Sequence, residues 1–240
     1  MKIGLFDSGL GGLNVLNNLL EVYPNNHYIY YGDTKNLPYG NKTKEELLII
    51  AKDIISFFED KKVDLIIIAC GTMSSNCLKE IKEMTNIKII DIISPTISYL
   101  KKQNYKKALV FGTNRTIDSK IFSNNLNNII EISTPEFVPM IENNKIDEFI
   151  IYNYLKDYQD IDILVLGCTH YPLLIPYFNK YLTKTRIIDM GKVLIKNINL
   201  SNNSINKIDL YFTIINDNLK TNINKIIIKR YYLNEIKCQI

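Results

Sequence analysis

The chain has no tryptophan, two histidines and four cysteines in 240 residues, and each scarcity removes a class of protein. His27 and His170 are far from zinc-ligand spacing, and no Cys-x-x-Cys pair occurs, so no metal site is expected. Cys70, Cys77, Cys168 and Cys238 show no disulfide framework, and a chain of this length buries a sizeable core without staples. Long hydrophobic runs are missing too: stretches such as Leu65–Cys70 fall far short of the roughly 20 apolar residues needed to cross a bilayer. No membrane span is expected. Met1 leads within two residues into a strand-like run rather than a signal peptide, so the expected location is cytoplasmic. The net charge of +4 arises from 29 Lys and Arg against 25 Asp and Glu, with no clustered basic stripe, so no nucleic-acid partner is expected. The abundance of Lys, Asn and Ile reads as coding bias.

What is present is alternation. Short runs rich in Ile, Leu, Val and Tyr predict strands near Lys2–Phe6, His27–Tyr31, Leu65–Ala69 and Lys88–Ile92. A second series follows near Lys107–Phe111, Ile130–Ser133, Ile163–Leu166 and Arg186–Asp189. Helix-like spacing fills Lys44–Lys61 and Asn76–Met84. Strand-helix alternation predicts an α/β fold with parallel sheets.

Two strand-turn units also occur twice in the same order. IGLFDSGLGG (Ile3–Gly12) corresponds to ALVFGTNRTIDS (Ala108–Ser119), and DLIIIACGTMS (Asp64–Ser74) to DILVLGCTHYP (Asp162–Pro172). The expected architecture is a pseudo-duplicated pair of similar three-layer domains with mainly parallel sheets and an active site in the cleft between them. The change from one series to the other is expected near Ser94 and Pro95, since proline disfavours helix at the preceding residue.

Both Cys70 and Cys168 fall just after a buried strand. Ligands of open parallel sheets sit at that edge, and helix N-termini there favour a thiolate. A lone cysteine at a strand end is usually a small core hydrophobe, the reading kept for Cys77 and Cys238. Recurrence at equivalent places beside threonine points instead to chemistry. Two thiols facing one bound molecule from opposite sides would remove a proton from one face of a carbon and return one to the other, which inverts its configuration.

Asp7, in the loop opening the first helix, is suited to an ammonium group or to moving a thiol proton, although alone it reads as a helix-capping carboxylate. Ser8, Thr72, Thr113, Thr116 and Thr169 lie in corresponding loops where hydroxyls and amides suit a carboxylate. His170 is the only histidine beside a candidate thiol and suits proton relay. Glu142, after the apolar Phe137–Ile141 stretch, reads alone as a surface helix residue.

The motifs FDSGLGG (6–12), YGDTKNLPYG (31–40), ACGT (69–72), FVPMIE (137–142) and LGCTHYPLL (166–174) together resemble the glutamate racemase family of the aspartate/glutamate racemase superfamily. The resemblance spans residues 3 to about 191. It implies two α/β domains, with residues 1–95 plus about 207–240 in the first and 96–206 in the second. It also implies that no pyridoxal phosphate or metal is needed, that the partner is a small amino acid, and that the assembly is a homodimer. On matching positions, Cys70 would deprotonate D-glutamate and Cys168 L-glutamate. Asp7 would assist the first thiol, and His170 the second, with Glu142 as an ionisable neighbour. Ser8, the Pro38, Tyr39 and Gly40 backbone, Gly71, Thr72, Thr113, Thr116 and Thr169 form the expected substrate-binding set. Family members make D-glutamate for peptidoglycan.

Three positions depart from the family pattern. Gly71 stands where the family has asparagine, Met73 where it has a small residue, and Met190 where a small or hydroxylic residue is usual. A lost amide would remove a substrate hydrogen bond of about 0.5 to 3 kcal/mol. There is no N-terminal extension like that used by some members for a peptidoglycan-precursor activator, so such regulation is not expected. Three alternatives remain: a non-catalytic binding member of the family, a nucleotide-binding α/β protein, and a racemase of another acidic amino acid. The second is disfavoured because Asn14 stands where a GxGxxG fingerprint starting at Gly9 needs glycine.

Overall fold

The computed structural model describes residues 1–201 and 205–236; Cys238, read above as a plain terminal cysteine, lies outside them. Strands β1 (Lys2–Asp7), β2 (His27–Gly32), β3 (Leu65–Ile68) and β4 (Lys88–Asp91) form a parallel sheet in the order β2-β1-β3-β4. Strands β5 (Ala108–Gly112), β6 (Ile129–Ser133), β7 (Ile163–Leu166) and β8 (Arg186–Asp189) form a second parallel sheet in the order β6-β5-β7-β8. The two orders are the same once β1 is matched to β5 and β3 to β7, so the repeat legible in the sequence is a repeat of topology. Strands β9 (Lys207–Phe212) and β10 (Tyr232–Glu235) extend the first sheet beyond β2. Strand β10 is a polar edge strand, YLNE, with no apolar alternation to read in the sequence.

The pleat sorts side chains into three cores. Ile3 and Leu5 of β1, Leu65 and Ile67 of β3, Ala108 and Val110 of β5, and Ile163 and Val165 of β7 face one shared core. That core is filled by α1 (Gly12–Val22), α4 (Ile93–Leu100), α9 (Met190–Asn197) and α10 (Asp217–Ile226). The opposite face of the first sheet packs Phe6, Ile66 and Ile68 against α2 (Lys44–Asp60) and α3 (Gly71–Met84). The opposite face of the second packs Leu109, Phe111, Leu164 and Leu166 against α6 (Phe137–Glu142), α7 (Glu148–Leu155) and α8 (Ile175–Tyr181). Each sheet is therefore covered on both faces, as parallel sheets require.

Local signals place the helices. Thr43 and Glu46 close a reciprocal capping box at the start of α2, a feature worth about 1 kcal/mol. The helix read from Asn76 begins five residues earlier at Gly71, because Cys70 is its N-cap and residues 71–74 are buried in helical geometry. Ser94 and Pro95 lie inside the first turn of α4, where no intrahelical N–H is required and proline is tolerated. The chain leaves the first sheet at Asp91 and enters the second at Ala108. No helix among the described residues is long and apolar enough to cross a membrane.

Candidate active site

The period of two along β3 and β7 carries past the strand ends. Cys70 and Cys168 follow at the carboxyl edges of equivalent strands, buried but not sealed, at 4% and 8% exposure. Both sulfur-bearing residues line one small cavity with about 20 Å³ of free volume, room for little more than one water molecule. The first half contributes Ser8, Pro38, Tyr39, Gly40, Gly71 and Thr72 to its walls; the second contributes Thr113, Val138, Thr169 and His170. Larger clefts of about 250 and 470 Å³ open on the surface, the second on the far side of Pro38, but neither is lined by a thiol. Reactive groups, not volume, identify the site.

Each thiol has its own polar surroundings. Burial pushes the Cys70 thiol well above its ordinary range, the Asp7 charge adds to this, and the amides at the start of α3 offset part of it. Asp7 is fully buried; burial raises its carboxyl, while His170 and the N–H groups of Gly12 (2.8 Å) and Gly9 (3.4 Å) pull it back. Cys168 Sγ lies 3.6 Å from His170 Nδ1, and His170 Nε2 lies 2.6 Å from Glu142 Oε1. Burial alone would lower the His170 imidazole, yet its bonds to Cys168 and Glu142 win and raise it well above its usual range. Burial would likewise raise Glu142, but His170 and the Leu10 N–H at 3.2 Å leave it lowered.

The halves are cross-linked at these groups. Leu10, in the loop after β1, donates its N–H to Glu142 of the second half, and Thr169 Oγ1 donates to Asp7 of the first at 3.3 Å. Thr72 Oγ1 and Thr113 Oγ1 meet at 2.8 Å across the same boundary. Thr116 is fully buried and stands behind Thr113 at 3.0 Å rather than on the cavity wall. Asp7 and Glu142 also stand one layer back, acting through neighbours. The Ser8 hydroxyl makes no hydrogen bond among the described residues, and Ser8 lies on the cavity wall. The Tyr39 hydroxyl turns away to Asp33 at 2.8 Å, so Tyr39 offers the cavity its backbone and ring. Asp33 also accepts from nearby Asn36 and, across 180 positions of sequence, from Thr213, and so braces this wall. Val138 was missed as a wall residue; its place inside FVPMIE was the available clue.

One departure from the family pattern, Gly71, acquires a physical reason. A Cβ on Gly71 would lie 2.5 Å from the main-chain oxygen of Gly167, the residue before Cys168, and 3.5 Å from Met190 Cε. The two cysteine turns thus touch through backbone, in space any side chain at 71 would occupy. Met73 is fully buried in the outer core of the first sheet. Cys77 is core as expected, its thiol pushed up to about 11 by burial.

Nucleotide binding fits poorly. The Gly9 and Gly12 amides that would cradle a pyrophosphate already bond Asp7, and the Leu10 amide bonds Glu142. Among the described residues no group of three or more His, Cys, Asp or Glu side chains is arranged to hold a metal ion.

Residues 13–198 match the model of the Asp/Glu/Hydantoin racemase family, and the chain belongs to that family. Within it, the chain is 36% identical over 232 residues to a glutamate racemase of Aquifex aeolicus, covering 92% of this chain and 91% of the relative. The solved glutamate racemase of Aquifex pyrophilus superposes with a TM-score of 0.85 at 32% identity, covering 98% of each chain. That of Francisella tularensis, crystallised with D-glutamate, gives a TM-score of 0.84 at 28% identity over 98% of this chain and 97% of that one.

Proposed function

We propose that the chain is a glutamate racemase that interconverts L- and D-glutamate with two thiols and no added cofactor, supplying D-glutamate for peptidoglycan. One observation carries the reading: two buried cysteines at equivalent strand ends of a repeated topology line a single small cavity, each with a different ionisable helper. In the L-to-D direction Cys168, beside His170, serves as the base and Cys70, kept as a thiol by burial, as the acid. The Cys168 thiolate takes the α-proton and becomes a thiol. Cys70 gives its proton to the opposite face of the carbanion and becomes the thiolate, leaving D-glutamate; the reverse reaction restores the first state. Ser8, Thr72 and the amides at the starts of α3 and α5 (Asn114–Asp118) hold the carboxylate and ammonium groups. The division into residues 1–95 plus about 207–240 and 96–206, a cytoplasmic location and a homodimer belong to the same reading.

The test is circular dichroism of the purified protein with each enantiomer of glutamate and of aspartate, without cofactor. Loss of optical activity from both glutamates is expected. Binding without racemisation and without α-deuterium exchange would leave a non-catalytic family member; turnover of aspartate alone would reassign the substrate.

A further inference from the structure

The C-terminal segment, which had no functional signal in the sequence, touches the second half at a point outside the cavity. Exposed Asn218, in the first turn of α10, makes two hydrogen bonds to the turn that ends α6. Its Nδ2 donates to the main-chain oxygen of Glu142 at 2.9 Å, and its Oδ1 accepts from Asn144 Nδ2 at 2.9 Å. Glu142 is the last residue of α6, and Asn144 has the left-handed φ of 52°, so the helix stops abruptly there. The oxygen bonded by Asn218 is one of the carbonyls that a helix C-terminus leaves without an intrahelical partner. The carboxylate of the same Glu142 holds His170 at 2.6 Å, and His170 reaches Cys168.

We propose that Asn218 is a positioning residue for the Cys168 thiol, fixing the backbone of Glu142 so that its carboxylate orients His170. This deepens the racemase reading and rests on Cys168 being one of its acid/base groups. The ionisable groups around the relay come from several elements: Asp7 at the end of β1, Tyr30 on β2, Cys70 at the head of α3, Glu142 on α6, and Tyr171 beside His170. Asn218 is uncharged, so its removal alters the geometry of Glu142 and leaves the charge of the site untouched.

The test is alkylation by iodoacetamide from mildly acidic to mildly alkaline pH, read at Cys168 and Cys70 separately by peptide mass spectrometry, in wild type and Asn218→Ala. Asn218 is exposed, so the variant is expected to fold, and a melting curve checks this. Loss of the Asn218 bond to the Glu142 main-chain oxygen predicts Cys168 alkylation about 2- to 10-fold slower near neutral pH, with Cys70 unchanged. An unchanged Cys168 profile, or equal slowing at both thiols, overturns the proposal. Because alkylation needs no turnover, a Cys168-selective shift in a protein that racemises nothing would keep the positioning role and discard the racemase reading.

Discussion

Replacing Gly71 by alanine tests how tightly the two cysteine turns are set. The added Cβ would lie 2.5 Å from the Gly167 oxygen, whereas ordinary contact begins at 3.4 Å, so the turns must separate by about 0.9 Å. The opposing atom belongs to the backbone and has no rotamer by which to withdraw. Overpacking of this kind costs about 1–3 kcal/mol, and at about 2–4 °C per kcal/mol for a chain of this size the melting temperature should fall by roughly 2–12 °C. Catalysis should suffer more. Gly71 adjoins Cys70 and Gly167 adjoins Cys168, and a misplacement of about 1 Å costs on the order of 100-fold in rate. The assay is kcat/KM for both glutamate enantiomers by circular dichroism, beside a melting curve. Gly71→Asn should be no better than Gly71→Ala, even though asparagine is the residue the family pattern carries, because the obstacle is the Cβ itself. Wild-type stability and activity in Gly71→Ala, or improved activity in Gly71→Asn, would refute the close-approach argument.

Cys70→Ser and Cys168→Ser should each lower racemisation by about 10²- to 10⁴-fold, the usual worth of a general acid or base, with melting temperatures near wild type; full activity in either would end the two-thiol mechanism. Saturating glutamate should protect both thiols from iodoacetamide, and indifference to glutamate would place them outside the substrate site. Glu142→Gln removes the carboxylate that helps raise His170, so the alkaline limb of activity set by loss of the His170 proton should move to lower pH. In the same variant the stability loss should be greatest between the lowered Glu142 and the raised His170. The Glu142 contribution fades as pH falls through its depressed value, and the His170 contribution fades as pH rises through its elevated one. A loss independent of pH would show that the pair does not ionise as described.

The strands, the repeat and the two thiols were legible because each rests on local chemistry. In β3 and β7 every second side chain faces the shared core and the intervening ones face an outer core, so the apolar runs announced strands buried on both faces, and the cysteines ending them fell at the ligand-binding edge. The candidate loop residues Asp7, Ser8, Thr72, Thr113 and Thr169 were legible from their place at strand ends and helix starts, whereas the Pro38–Gly40 wall and the role expected of Glu142 came through motif resemblance alone. Glu142, for instance, reads alone as a surface carboxylate.

Only the tertiary structure decided what joins the halves. Leu10 meets Glu142 across 132 positions of sequence and Thr169 meets Asp7 across 162, and no pattern of neighbours encodes a hydrogen bond of that span. Threonines 113 and 116 look alike in sequence, yet one faces the cavity and the other supports it, because a helix start sends them in different directions. The approach of Gly71 to Gly167 is likewise a property of two packed turns. Periodicity and residue type specify which faces bury and which groups can react; the separation and charge of those groups follow from how the two packed halves meet.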